Sequence, residues 1–429
     1  MKRIMVGELN SHINEKVEIQ GWIHRIRKLK GITFVILRDR TGLVQCVMDN
    51  KLMDIGNVKL ESVVSILGEV KESNNALNPF EISVENFEIL NEAMEELPIE
   101  INKEELEISL DTMLNNRILS LRHKKINSIF KIQNLIVQGF REFLVNEGFT
   151  EIFTPKIVAE GAEGGTEIFE MKYFENKAYL TQSPQFYKQM MVGAGYERVF
   201  EVAHVYRAEQ HNTNRHLNEY ISMDFEMGFI ESEEDIMNME ESLLKYILGK
   251  VEKEGQKYLE LLNITIPKIE DTIPRIKFYE ALEILRREYN KVDIDGDLDP
   301  EGEKLICKYA KEKLGCEFIF LTHYPRKKRP MYTMPCGENE THSFDLLFRG
   351  IEITTGGQRI HEYDMLINNI KYKGLNPEKY HNYTSVFKYG MPMHGGLAIG
   401  LERITMQLLE LENIREASLI TRDRTRLTP

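Results

Sequence analysis

The sequence predicts an α+β protein, and three observations carry that reading. Residues 1–92 hold five short stretches rich in β-branched residues, separated by Gly, Asn and Asp. From Ile126 the apolar residues Ile129, Phe130, Leu135, Ile136, Phe140, Phe143 and Leu144 follow at helical spacing, and Gly148 ends the run. Residues 205–226, VYRAEQHNTNRHLNEYISMDFE, read as a long antiparallel hairpin with apolar alternation on both sides of a polar, turn-forming centre.

The five stretches are residues 17–26, 33–38, 43–48, 63–69 and 80–90, and they fit a small barrel of OB type. The turn Asp39-Arg40-Thr41-Gly42 joins two of them. Arg25, Arg27, Lys28 and Lys30 make the surface locally basic, and Phe34 and Gln45 lie on strands facing that patch. An aromatic platform, an amide for a base edge and cations for phosphate make a single-strand RNA reader. For Phe34 taken alone, core packing is the expected role. Residues 93–122, acidic and then mixed, read as a hinge, and residues 123–429 as a larger second domain.

In that domain the long helix leads to GFTEIFTPKI, where Pro155 suits an edge strand. EGAEGGTEIF, residues 160–169, sets two glycines among carboxylates that include Glu163, and predicts a mobile loop. In YLTQSPQFYKQMM a strand ends at Thr181 and Pro184 starts a helix. Ser183, Gln185 and Lys188 then lie near the helix N-terminus, the last two on one face. Asp224 and Glu226 alternate with Met and Phe in the hairpin, so they point to solvent or to a polar cleft. Ser232 and Asp235 form a capping box before another amphipathic helix.

Residues 255–318 read as a helical insertion without visible chemistry. HYPRKKRPMYTM, residues 323–334, is strongly basic; a solvated loop and a phosphate or RNA contact carry equal weight. SFDLLFRGIEITTGGQRIH, residues 343–361, alternates as two strands with Asp345 and Glu352 as polar exceptions. Separated carboxylates on adjacent strands suit a Mg²⁺–phosphate site. Glycines 395, 396 and 400 permit close backbone approach before a helix that Arg403 opens.

The bulk properties narrow the function. The 429 residues suffice for two or three domains, and the net charge of -13 excludes indiscriminate nucleic-acid binding. Cys46, Cys307, Cys316 and Cys336 form no CxxC pair, which suits reduced thiols and argues against a zinc site. No apolar run or signal-type segment is visible, so a cytoplasmic, non-membrane protein is expected. GxGxxG and Walker strings are absent, so nucleotide binding requires another architecture.

The hairpin string RAEQHNTNRHLNE resembles motif 2 of the class II aminoacyl-tRNA synthetases, specifically the aspartate enzymes of archaeal and eukaryotic type. The helix followed by GFTEIFTPKI resembles motif 1, and GLAIGLERI resembles motif 3. QSPQFYKQ, GGQRIH and the NIRE…RDRTRLTP terminus extend the resemblance over nearly the whole chain. It implies an OB-fold anticodon-binding barrel followed by an antiparallel sheet flanked by helices, with a homodimer built on motif 1. The activity implied is formation of aspartyl-adenylate from L-aspartate and ATP with Mg²⁺, then transfer to tRNA.

The same resemblance implies roles. Arg207 holds the α-phosphate, and Arg403 the γ-phosphate side and one face of adenine, with Tyr220 opposite. Glu209 reads the adenine amino edge; Arg215 and His216 hold the triphosphate tail. Asp345, Glu352 and Thr355 surround Mg²⁺, Thr355 replacing a more usual serine. Lys188 and Arg359 grip the substrate side-chain carboxylate. Ser183, Gln185 and Asp224 bind its α-amino group, and Glu163 closes the loop. LITRD, residues 419–423, departs from the usual LFPRD, and the sequence offers no account of Thr421.

In the barrel, the resemblance makes Phe34 the residue stacking on the anticodon and Gln45 the reader of its central base. Strict tRNA-Asp enzymes resemble GWVW where this chain has GWIH, and carry a lysine in the loop where it has Leu77 and Pro79. Histidine at position 24 is typical of relaxed members, so charging of both tRNA-Asp and tRNA-Asn is expected, with a tRNA-dependent amidotransferase as a functional partner. The alternatives are a strictly discriminating ligase, an asparagine synthetase using the same adenylate, and a non-catalytic RNA-binding paralogue.

Overall fold

The computed structural model describes residues 2–51, 55–160, 167–210, 212–292 and 298–429. The chain divides into two compact units, Met1–His123 and Lys124–Pro429. Glu163 lies outside the described residues, so its expected loop role has no structural counterpart here.

In the first unit, strands Lys16–Lys28, Ile32–Arg38, Leu43–Asp49, Phe80–Asn91 and Val63–Glu72 close into a barrel in that spatial order. The alternation in sequence sends Val17, Ile19, Val35, Leu37, Val44, Cys46, Val64 and Ile66 inward, and the 3-10 turn Val6–His12 plugs one end with Val6 and Leu9. Gly21 is required by the closure, because a Cβ there would stand 2.3 Å from Arg38 O. The Asp39 carboxylate organises the expected turn by accepting from Thr41 N (2.7 Å) and Gly42 N (3.1 Å). Residues 93–122 group with the barrel: Arg25 donates to Asn102 O at 2.9 Å, and Arg122 to Glu61 at 2.9 Å.

The second unit is built on an eight-stranded sheet. Its spatial order is Arg275–Lys277, Phe318–Thr322, Ser343–Phe348, Ile351–Arg359, His394–Gly400, Glu219–Gly228, Arg198–Tyr206 and Thr150–Glu151. The six central strands run antiparallel, and the two short edge strands pair in parallel. Helices Lys124–Asn146 and Glu233–Glu254 pack together at Gly139, where a Cβ would come within 3.3 Å of Ile247. Phe140 meets Phe200 edge-on at 5.9 Å, and Phe318 stacks on Phe348 at 4.1 Å, so aromatic area anchors the core. The expected capping box at Ser232 and Asp235 is formed.

The insertion expected at 255–318 is more than an appendage. Arg275–Lys277 completes the sheet edge, and helix Pro300–Leu314 sends Glu303 to Arg215. Local spacing could not reveal a pairing that spans 88 residues.

Candidate active site

One side of the central strands floors a cleft of about 290 Å³. It is lined by Ser183, Gln185, Arg207, Glu209, Arg215, His216, Tyr220, Asp224, Glu352, Thr355, Arg359 and Arg403, so the fold brings together twelve expected site residues from five separated segments. The hairpin registers Asp224 opposite Ala398 and Glu226 opposite Gly396. A Cβ at Gly396 would fall 2.3 Å from Glu226 Oε2, so the glycine makes room for this carboxylate.

At the floor, four charged side chains form a buried quartet. Lys188 Nζ donates to Asp224 Oδ1 (2.8 Å) and Leu397 O (3.0 Å), and lies 3.5 Å from Glu226 Oε2. Arg359 Nε donates to Glu226 Oε1 (3.0 Å), and its Nη2 to Gly396 O (2.9 Å). Gln185 bridges them, donating to Glu226 Oε2 (3.1 Å) and accepting from Arg359 (3.3 Å). Burial alone would raise Glu226; Arg359 and Lys188 outweigh it and hold the carboxyl below its ordinary range.

The quartet modifies the sequence expectation. Both cations assigned to the substrate are already engaged by protein carboxylates, and Lys188, 0% exposed, lies behind the cleft wall. Glu226 belongs to the site although its role was not legible. Its only sequence signal is a second carboxylate alternating with apolar residues beside Asp224.

The side expected to face phosphate draws on the next two strands. Thr355 Oγ1 donates to Glu352 Oε1 at 2.7 Å, and Arg403 Nη1 donates to Glu352 O at 3.0 Å. Asp345 stands across the ladder from Thr355. It does not line the cleft directly, because Arg329 Nη2 sits 2.7 Å from its Oδ2, as an ion pair without hydrogen-bond alignment. Burial, with the Glu352 charge adding to it, pushes Asp345 up to about 6 against the pull of Arg329. Asp345 Oδ1 meets no hydrogen-bond donor among the described residues. Two mutually repelling carboxylates, Asp345 buried with an unsatisfied oxygen and Glu352 part-buried, and an adjacent hydroxyl fit a hard divalent cation.

The basic string 323–334 divides between the cleft and the surface. Arg329 lies over the Tyr324 ring at 3.8 Å and lines the cleft, while Arg326 donates to Asn369 Oδ1 at 2.7 Å. Only Lys327 and Lys328 stay exposed. At the mouth, Arg207 approaches the Tyr220 ring at 5.6 Å, His216 Nε2 is 3.5 Å from Glu209, and Arg215 donates to Glu303 at 2.9 Å. Arg415, unmarked by the sequence reading, clamps the hairpin tip by donating to Thr213 O (3.0 Å) and pairing with Asp423 (2.6 Å). Thr421 is buried with its hydroxyl 3.4 Å from Arg415 O, which accounts for a polar residue at that place.

On the barrel, Phe34 is half-exposed on the outer face, not in the core, because Val35 takes the inward position. Arg27 pairs with Phe34, and Ile36 with both Arg25 and Gln45, so these two arginines, the aromatic and the amide share that face, while Lys28 pairs with buried Thr33. Gln45 Nε2 donates to Glu81 at 2.8 Å. His24 sits at a bulge, 3.4 Å from Arg38; burial and Arg38 lower it to about 4, leaving it neutral at pH 7. Leu77 and Pro79 are exposed in a loop ordered by Asn75.

The profile described as tRNA synthetases class II (D, K and N) matches residues 109–424, and an OB-fold nucleic acid binding domain matches residues 17–90. The chain belongs to the class II tRNA synthetases of this D, K and N group. Within the group it falls in the aspartate–tRNA ligase branch. It is 48% identical to the aspartate–tRNA(Asp/Asn) ligase of Thermus thermophilus over all of both chains. It is 44% identical to the aspartate–tRNA(Asp) ligase of Pyrococcus furiosus, covering 99% of this chain and 98% of that one. Among solved structures, asparaginyl-tRNA synthetase from Pyrococcus horikoshii with asparaginyl-adenylate superposes with a TM-score of 0.91 at 29% identity, over 100% of each chain.

Proposed function

We propose that this aspartate–tRNA ligase charges both tRNA-Asp and tRNA-Asn. The observation that carries the reading is the anticodon face: a neutral His24 beside Arg38, and an opposing loop, residues 73–79, with no lysine. A small neutral ring and a missing cation leave the third anticodon base free to be C or U. Stacking on Phe34, worth roughly 1–3 kcal/mol per base, is tolerant of base identity and does not restore a choice. Full-length relatives named for both tRNAs reach 44–48% identity, against 42–44% for those named for tRNA-Asp, which supports the same reading.

In the catalytic unit, a carboxylate oxygen of aspartate attacks the α-phosphorus of ATP and pyrophosphate leaves. The terminal ribose hydroxyl of tRNA then attacks the adenylate carbonyl and AMP leaves. Arg207 stabilises charge developing at the α-phosphate, and positioning supplies most of the remaining rate. Arg403 and Tyr220 sandwich adenine, Glu209 takes its amino group, and Arg215 and His216 hold the polyphosphate. Asp345, Glu352 and Thr355 would hold Mg²⁺, which neutralises phosphate charge. Ser183, Gln185 and Asp224 take the α-amino group, with Glu163 closing over it. Arg359, backed by Lys188, takes the side-chain carboxylate in exchange for Glu226; the neutral amide of asparagine offers no charge to replace that carboxylate.

The wider reading follows. Residues 1–92 serve as the anticodon module, 123–429 as the catalytic module, with 93–122 between them. Motif 1 builds a homodimer, consistent with Phe153 standing 83% exposed beside it. Aspartate placed on tRNA-Asn requires a tRNA-dependent amidotransferase acting next, in the cytoplasm. Among the described residues no helix is long and apolar enough to cross a membrane. ATP–pyrophosphate exchange without tRNA tests the chemistry: it should need L-aspartate and Mg²⁺. Exchange with asparagine or lysine, and none with aspartate, would overturn it.

A further inference from the structure

Outside the cleft lining, three potential metal ligands meet at one place, with a carboxylate beside two of them. His323 follows strand Phe318–Thr322, Cys336 lies on Pro335–Cys336, His342 precedes Ser343–Phe348, and Glu233 opens helix Glu233–Glu254. One nitrogen of each imidazole and Cys336 Sγ all lie within 4.8 Å of one another. Both rings turn to the same carboxylate: His342 Nδ1 is 2.9 Å from Glu233 Oε2, and His323 Nε2 is 3.8 Å from Glu233 Oε1.

His323 Nδ1 lies 3.0 Å from Thr322 Oγ1, which fixes the ring so that Nε2 faces Glu233. At 3.8 Å that nitrogen and the carboxylate oxygen are too far apart for a hydrogen bond, a spacing that a shared cation would fill. The backbone holds His323 at φ 58, in the left-handed region.

We propose that His323, Cys336 and His342, with Glu233 as fourth donor, hold a divalent transition metal of the zinc class. Two imidazoles, a thiolate and a carboxylate form a borderline-soft set that selects zinc or cobalt over magnesium. Tetrahedral donors sit about 3.3–3.8 Å apart at ordinary zinc bond lengths, so a small side-chain contraction closes the site. The ion would tie the start of the long helix to the strand that carries Asp345. The absence of a CxxC pair, which argued against zinc, is immaterial when the ligands come from separate segments.

The test uses the full-length chain without a histidine tag, stripped by chelator and titrated with Co²⁺ in saturating Mg²⁺, which covers the carboxylate site in the cleft. One equivalent of Co²⁺ should give tetrahedral visible bands and a thiolate-to-cobalt charge-transfer band, both bleached by Zn²⁺. Cys336→Ser should remove the charge-transfer band with circular dichroism unchanged, and Glu233→Gln should weaken Co²⁺ binding about tenfold or more. Replacing His323 and His342 together by alanine should abolish the signal. No tetrahedral absorption at one equivalent, or a charge-transfer band that survives Cys336→Ser, would overturn the proposal.

Discussion

Arg359 Nε donates to Glu226 Oε1 across 3.0 Å, and both side chains are buried. The pair sits beside Lys188 and Asp224, so the floor carries two cations and two anions. On the proposed reading, a zwitterionic amino acid with one extra carboxylate meets this floor by exchanging partners on Arg359.

Glu226→Gln should therefore destabilise the catalytic unit by about 3–5 kcal/mol, because it leaves a buried guanidinium under-compensated. Urea unfolding measures this. A loss below about 1 kcal/mol would show that the pair is not the counter-charge described.

Lys188→Met should remove most aspartate-dependent exchange while the KM for ATP stays within about twofold. Lys188 touches Asp224, Leu397 O and Glu226, and does not line the cleft beside the phosphate residues. Exchange kinetics with each substrate varied separately decide the matter; an equal loss for ATP and aspartate contradicts the assignment.

The contrast between these residues shows what could be read from sequence. The barrel strands, the hairpin and the long helix followed from local alternation and spacing, and the structure places them within a few residues. Ser183, Gln185, Arg207, Glu352, Arg359 and Arg403 converge as the resemblance implied. What stayed hidden were partners distant in the chain. Glu303 reaches Arg215 and Arg329 reaches Asp345 only after folding. Glu226 was visible as a charge, but its partner lies 133 residues away. Phe34 was misjudged because one aromatic in an alternating strand does not declare its face; Val35 beside it does.

Glu240 lies buried on helix Glu233–Glu254 with neither carboxylate oxygen in good hydrogen-bond geometry among the described residues, and burial pushes it from 4.5 up to about 8 against the pull of the Thr354 hydroxyl. A carboxyl raised on folding contributes stability that is fully present below its unfolded pKa and lost as pH rises through the folded one. Thermal melts should fall between pH about 5 and 9, and Glu240→Gln should flatten that fall. An identical pH slope in the variant would contradict the prediction.

His24→Trp should restore choice at the third anticodon base. The ratio of kcat/KM for tRNA-Asp over tRNA-Asn should rise about tenfold or more, about 1.4 kcal/mol. Pyrophosphate exchange should be unchanged, since the substitution lies in the anticodon module. An unaltered ratio would remove His24 from the account of tRNA choice.

The central claim is tested most directly by charging tRNA-Asp and tRNA-Asn transcripts with L-aspartate under identical conditions and salt. The account predicts kcat/KM values for the two within about tenfold. A preference for tRNA-Asp of about a thousandfold or more, about 4 kcal/mol, would contradict it.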